Sequence, residues 1–591
     1  MEGFDLVDER RRMIGRSALA IALALIASPA LAQEDPLAPI EVPPVIETPI
    51  DPIVITPPPP PRVIPRDWRG VFDAIRAGDW YGAAAGIETL PDSVLKPVAR
   101  AELYTARGSP MTELAALIGL ISEAPDLPQA EQLQRLAMTR GAIELPPIIY
   151  TRRTIGLGSA PRRGRARPVA NDLAADALRT ALEPFVSAND PLGAESLLLG
   201  QAAYLTIEAR AEAGQRVAWI YYVLGRDAEA RRVADQWRAG ATGEWGAQAA
   251  WVSGLASWRM NDCASSKAAF GDAMRLGGGT EFRAAAAYWS ARSAQACRRT
   301  REVQPLLLAA AQSAESFYGL LARDALGMTT TLAPPRRFNP SSRVAGLSNI
   351  RRATELVAIG ERAMAEQMLR HQAKIGAPAD HGDLIAAARS LDLGGAQFWL
   401  AHNGQPGVRV DPADRYPAPR WVPDRGWRID PALAFAHVLQ ESSFRVEAVS
   451  PAGAVGLMQV RPGTAGDTAR ARGESVGING LKRAETNLDH GQAFIELIRR
   501  SGATGGQLPK VIAAYNAGPV PVARWNYTND KGDPLLWMES IPYWETRYYV
   551  PAVLRNMWVY QGLAGAAQPS LRALTEHRWP VFPTSAGRPA L

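Results

Sequence analysis

Between about Asp67 and His402, apolar residues recur at steps of three and four, and a Gly or Pro interrupts the pattern every 12 to 18 residues. Such a period follows one face of an α-helix, so this stretch predicts helix after helix. Ala249-Ala250-Trp251 with Ala256 returns 38 residues later as Ala287-Tyr288-Trp289 with Ala294, and Trp219 precedes Trp251 by 32. Repeats of this length predict helix pairs stacked as a solenoid. The small Ala positions let helices approach, and Trp219, Trp251 and Trp289 fill the space between layers.

The pattern fails at both ends of this region. Arg10, Arg11, Arg12 and Arg16 precede an apolar run from Ala18 to Ala27, and Ala30-Leu31-Ala32 follows. The run is half the ~20 residues of a membrane span, so 1–32 reads as a signal peptide cut after Ala32. Export to the periplasm by the general secretory route follows, with no integral span in the mature chain. Residues 33–65 carry twelve prolines between Pro36 and Pro65 and no apolar period, which predicts an extended Pro-rich linker. Past a Pro/Arg-rich junction at 411–425, Asp430-Pro431 reads as an N-cap followed by proline at the first helical position. That helix runs to Glu441, and Ala434, His437 and Val438 share its face. A carboxyl emerging at a helix end beside an apolar stripe is expected to be held protonated, as a general acid must be. Gly453 and Gly456 permit a tight loop, and Gly518-Pro519 ends the helix bearing Tyr515.

Composition narrows the classes. The 591 residues leave room for three or four domains, and 47% hydrophobic with 21% charged content suits a folded soluble protein. Two cysteines, Cys263 and Cys297, cannot make a disulfide framework or a four-thiolate site; they pair in one disulfide or sit as two small buried residues. Six histidines show no metal-ligand spacing. No metal site is expected, and His437 reads as a core histidine. A net charge of +6 is weak for nucleic acid, and the arginine-rich stretch from Arg162 to Arg167 reads as a solvated loop.

Four segments carry more. Glu441-Ser442-Ser443-Phe444, Gly456-Leu457-Met458-Gln459, Ala514-Tyr515-Asn516-Ala517-Gly518 and Glu545-Thr546-Arg547-Tyr548-Tyr549-Val550 follow in order. Over about 431–560 the chain resembles the catalytic domain of the soluble lytic transglycosylases, the SLT or goose-lysozyme-like group that cuts peptidoglycan. Tyr288-Trp289 and Ser316-Phe317-Tyr318-Gly319 look like the superhelical ring of its large periplasmic members. The implied fold is all-α: a superhelical solenoid of helix pairs at 66–410, a lysozyme-like SLT catalytic domain at 411–565 and a C-terminal tail at 566–591.

By resemblance Glu441 is the single catalytic acid/base, Ser450 a supporting hydroxyl and Tyr515 a phenol near the reacting sugar. Glu545 supports the cationic intermediate, or else forms a buried ion pair with Arg547. Met458, Gln459, Asn516 and Arg547 are implied to bind substrate, while Arg461 stands where the family commonly has an apolar residue. The implied reaction cleaves the MurNAc-β-1,4-GlcNAc bond without water and leaves 1,6-anhydroMurNAc ends; a hydrolytic muramidase and a non-catalytic wall-binding scaffold are the alternatives. No cofactor is implied. The implied partners are peptidoglycan glycan strands, with cell-wall synthesis or secretion proteins beside them. Since no catalytic motif precedes Pro431, a fragment from about Asp414 is expected to retain cleavage of isolated strands.

Overall fold

The computed structural model describes residues 64–583. The signal peptide expected at 1–32, the linker up to residue 63 and the last eight residues of the tail lie outside the described residues. Two compact units divide the chain, 1–90 and 91–591. In the first, Trp68–Ala77 and Trp80–Thr89 pack on each other, and Asp67 and Asp79 accept hydrogen bonds from the backbone N–H of Gly70 and Gly82. Val71, Phe72, Ala83 and Ile87 are buried.

The second unit is built almost wholly of helices, as the period predicted. Ile207–Val223, Asp227–Trp237, Glu244–Arg259, Cys263–Leu276, Thr280–Ala296 and Thr300–Ala310 each pack on the next. Asp262 caps the fourth of these by accepting from Ser265 N–H at 3.0 Å. Glu244–Arg259 and Thr280–Ala296 are buried on nearly every side. Their Ala, Gly and Ser positions allow this, because small side chains let neighbours approach from all directions. Trp251 and Trp289 fill the gaps between layers, with Phe270 5.0 Å from the first ring and 5.6 Å from the second. Trp219 is only partly buried, and its ring receives the Arg547 guanidinium instead of filling a gap between layers.

Cys263 and Cys297 form a disulfide, their Cα atoms 5.5 Å apart, which ties the start of one helix to the end of the next. The bridge closes a segment 34 residues long. Restricting a loop of that size in the unfolded chain is worth about 3–4 kcal/mol. The Cys263→Ser/Cys297→Ser variant is therefore expected to unfold at clearly lower urea than the oxidised parent, measured by circular dichroism.

Ile155–Gly156 pairs antiparallel with Asn403–Gly404. From there the chain enters the arginine-rich stretch, where the expected solvated loop is only half correct. Arg162, Arg165 and Arg167 are exposed, but the Arg163 side chain is 3% exposed and lies 3.3 Å from Glu539, its guanidinium 4.0 Å from the Trp251 ring. A cation enters a helical core only where a carboxylate and aromatic faces replace its water, and this one meets both.

One apolar core runs from Ala175 to Phe582, through the solenoid and the C-terminal domain alike. Phe317 stacks on Trp558 at 5.2 Å, Arg292 pairs with Asp533 at 2.6 Å, and Tyr222 and Ser540 share a hydrogen bond of 2.7 Å. The described part of the tail joins this core: Pro569–Thr575 is a helix that buries Leu571 and Leu574.

Glu281 sits in the same core and accepts the Phe317 N–H at 3.0 Å. Burial pushes its carboxyl up to about 7 from an ordinary 4.5, against the opposing pull of Arg555 and that N–H. Between about pH 4.5 and 7 the folded chain thus holds a proton that the unfolded chain has lost, so this group makes stability fall as pH rises through that window. The effect is about 3 kcal/mol at most. Glu281→Gln, which cannot ionise, is expected to flatten that slope and to gain stability above pH 7, read from urea midpoints across pH.

Candidate active site

Pro431–Glu441 places the carboxyl at its last residue, with Asp430 accepting from Ala432 N–H at the other end. The stripe expected beside Glu441 is present: Ala434, His437 and Val438 are buried. Past Glu441 the chain turns sharply, with Ser443 and Phe444 both at positive φ, and Phe444 is buried beneath the helix.

Glu441 does not stand alone at this end. The Tyr549 hydroxyl, from the helix Trp544–Leu563, donates to Glu441 Oε1 at 2.6 Å. His437 Nδ1 lies 2.8 Å from the same hydroxyl. Burial, and then the charge of Glu441, holds the Tyr549 phenol well above 10, so it stays a donor; Glu545 adds to this from the same helix. Burial alone pushes His437 down to about 3, which keeps the ring neutral. Tyr515 packs its ring 4.5 Å from His437 and is likewise held well above 10 by burial and by Glu441. Its hydroxyl donates to the Met458 carbonyl at 2.6 Å, joining the helix Leu508–Ala517 to the Gly-Leu-Met-Gln loop.

That loop is fixed from beneath. Asn487, fully buried, donates to the carbonyls of Val455 and Leu481 and accepts from Met458 N–H, each at 2.8 Å. Gly456 has φ +78°, and a Cβ there would come 2.2 Å from the Asn487 amide, so only glycine fits. Met458 points inward and packs on Gly491, where a Cβ would meet its sulfur at 2.2 Å. Gln459 donates to the Gly456 carbonyl at 2.8 Å and is half-buried. Ser450 accepts from Ala454 N–H at 3.0 Å, closing the turn before the loop while keeping its own proton to donate.

A second cluster joins two helix ends. Asn516 donates to Glu545 at 3.1 Å and accepts from Thr546 at 2.6 Å. Glu545 is exposed, whereas Arg547 is buried with its guanidinium 3.7 Å from the Trp219 ring. No Glu545–Arg547 ion pair forms among the described residues. The structure therefore brings Glu441, Tyr515 and the Met458 carbonyl into one network and Asn516 with Glu545 into another. The side chains of Met458 and Arg547 it places in the interior.

Sequence reading missed three contributors. Asn487 had a signal: it occupies one place in the apolar stripe completed by Gly491, Ile495 and Ile498, where a polar residue must be satisfying buried groups. Tyr549 stood within the Glu545–Val550 motif but was given no role, because 108 residues separate it from Glu441 and nothing local shows which carboxyl its hydroxyl meets. His437 was seen but read as filler.

Fold and site together define a helical superhelix that supports a carboxyl hydrogen-bonded to a buried phenol. Residues 423–537 match the family model described as the Transglycosylase SLT domain. The chain is 37% identical over 145 residues to the soluble lytic murein transglycosylase of Salmonella typhimurium, and 36% identical over 159 residues to that of Escherichia coli K12. Those matches span 24% and 26% of this chain and only 22% and 23% of the relatives' own length. The solved 70 kDa soluble lytic transglycosylase of Escherichia coli superposes with a TM-score of 0.50 at 17% identity, covering 87% of this chain and 99% of the other. A complex of the 70 kDa soluble lytic transglycosylase with bulgecin A gives 0.53 at 19% identity, covering 87% and 88%. The chain thus resembles the soluble lytic murein transglycosylases, in sequence over its C-terminal domain and in fold over most of its length.

Proposed function

We propose that this chain is a peptidoglycan lytic transglycosylase that cleaves the MurNAc-β-1,4-GlcNAc bond and leaves 1,6-anhydroMurNAc ends, with Glu441 as its single acid/base. The observation that carries this reading is the Tyr549–Glu441 hydrogen bond at the end of an apolar helix face, with Glu441 inside the segment that matches the SLT domain and Tyr549 reaching it from the helix that follows. Protonated Glu441 gives its proton to the glycosidic oxygen as the bond to C1 breaks, and the N-acetyl carbonyl oxygen of MurNAc takes the vacated position on C1. Glu441, now a carboxylate, removes the proton of the C6 hydroxyl; O6 bonds to C1 and releases the acetamido oxygen. No water enters, and the acid is restored.

Tyr549 suits both halves of the cycle, since its hydroxyl remains protonated and can strengthen its bond to Glu441 as charge appears there. Glu545 supplies negative charge near the transient cation, oriented by Asn516. Ser450 and Gln459 shape the substrate path, and Met458 acts through its backbone carbonyl on Tyr515. Arg547 fixes the catalytic helix against Trp219. In this reading 1–32 export the chain to the periplasm, 33–65 tether it, the helical solenoid of 66–410 guides glycan strands, and 411–565 cut them. No helix among the described residues is long and apolar enough to cross a membrane.

Mass spectrometry of digested sacculi tests the reaction: muropeptides one water lighter than their hydrolysed counterparts are expected. Hydrated reducing ends would replace the transglycosylase by a muramidase, and no release at all would leave the scaffold.

A further inference from the structure

His437 stands one helical turn before Glu441, 1% exposed, between the rings of Tyr515 at 4.5 Å and Tyr549 at 5.8 Å. The titratable groups that face it are these two phenols, with Glu441 beyond the second. Its Nδ1 is 2.8 Å from the Tyr549 hydroxyl, whose proton goes to Glu441 at 2.6 Å. Its Nε2 is buried and has no hydrogen-bond partner among the described residues. A neutral imidazole carries one proton. Placed on Nε2, that proton would be an orphaned buried donor, and the bare Nδ1 would compete with Glu441 for the Tyr549 proton. Placed on Nδ1, it meets the Tyr549 oxygen and leaves only a lone pair unmatched, the more tolerable defect in a protein interior. The surroundings thus select the Nδ1–H tautomer, and with it the direction of the whole chain of hydrogen bonds.

We propose that His437 is a positioning residue whose Nδ1–H donates to the Tyr549 hydroxyl and so commits the proton of that hydroxyl to Glu441. This rests on the assignment of Glu441 as the acid/base, and it adds a member to the site that acts without touching substrate. A hydroxyl free to rotate offers Glu441 a hydrogen bond for part of the time; one that already accepts from His437 offers it throughout. The carboxylate is then favoured at the moment it must form, and it is pre-arranged rather than found by search.

His437→Leu is expected to lower kcat about tenfold, the scale of one hydrogen bond, with KM little changed. The alkaline limb of kcat/KM moves to higher pH, because losing a donor to the carboxylate favours its protonated form. His437→Asn, whose amide nitrogen can stand near Nδ1, restores most of the rate. In a Tyr549→Phe background His437→Leu should add almost nothing, since the route through the hydroxyl is already gone. Equal losses in both backgrounds, or a lowered melting temperature with kcat and pH profile unmoved, would make His437 mere core filling and overturn the proposal. Selective 15N-histidine NMR on the intact protein reads the tautomer without any turnover, and an Nε2–H form at His437 would also overturn it. If Glu441→Gln stays active, the functional reading fails, while the tautomer measurement still decides the hydrogen-bond direction.

Discussion

Glu441→Gln is expected to abolish release of anhydromuropeptides while leaving the fold and glycan binding nearly intact. The amide retains the size of the carboxyl and can still accept the Tyr549 hydrogen bond, but it can neither give a proton to the leaving oxygen nor take one from C6. General acid-base help is worth about 10²–10⁴ in rate, and here one group serves both steps, so the loss should reach the upper end of that range or pass it. Neighbouring changes should rank below it. Tyr549→Phe removes a donor to Glu441 and Tyr515→Phe unties the Met458 carbonyl, so both lower kcat without ending turnover. Glu545→Gln weakens only the electrostatic support and should cost least. Anhydromuropeptide release by all four, compared at equal distance below their melting temperatures, gives the ordering. A dead Glu545→Gln beside an active Glu441→Gln would sink the single-acid mechanism.

The periodic parts of this structure could be read in advance, and the parts that depend on distant partners could not. Trp251 and Trp289 lie between layers because a 38-residue recurrence implies equivalent places in stacked helix pairs. The helix ending at Glu441 was marked by Asp430-Pro431 and an apolar stripe, both local. The Tyr549 bond to Glu441 joins positions 108 residues apart, so the motif at Glu545–Val550 marked that tyrosine without showing which distant carboxyl its hydroxyl would meet. Arg547 shows the same limit. Beside Glu545 in sequence it suggested an ion pair, but one residue of separation on a helix turns the two side chains about 200° apart, so one faces solvent and the other Trp219. Arg163 looked solvated because its segment is charged, while the carboxylate and the rings that receive it lie far along the chain.

Arg163→Met is expected to destabilise the protein by about 3–5 kcal/mol, the cost of stripping one partner from a buried ion pair. Both side chains of the Arg163–Glu539 pair are 3% exposed. Without the guanidinium, Glu539 keeps the Tyr318 hydroxyl, which donates to it at 2.7 Å, as its neighbour in an apolar region. The guanidinium also lies 4.7 Å from the Phe282 ring and 5.1 Å from that of Tyr548, the residue before Tyr549, so its loss should loosen the solenoid and the helix Trp544–Leu563 together. Burial lowers the Arg163 pKa, but Tyr548, Glu539 and Tyr318 more than offset it, so Arg163 stays charged and no pH change should imitate the substitution. Adding Glu539→Gln should recover much of the loss, because the double variant leaves no uncompensated charge. Urea midpoints for the single and double variants test this, with Arg165→Met as the exposed comparison. A fragment from about Asp414 meets the same difficulty on a larger scale: it keeps Glu441, Tyr515 and Tyr549 but loses Arg163, Tyr318, Arg292 and the Phe317 ring that covers Trp558. It should therefore cleave isolated glycan strands only well below the melting temperature of the whole chain. If the fragment melts with the whole chain, and Arg163→Met costs no more than Arg165→Met, the buried pair is dispensable and the solenoid does not brace the helix Trp544–Leu563.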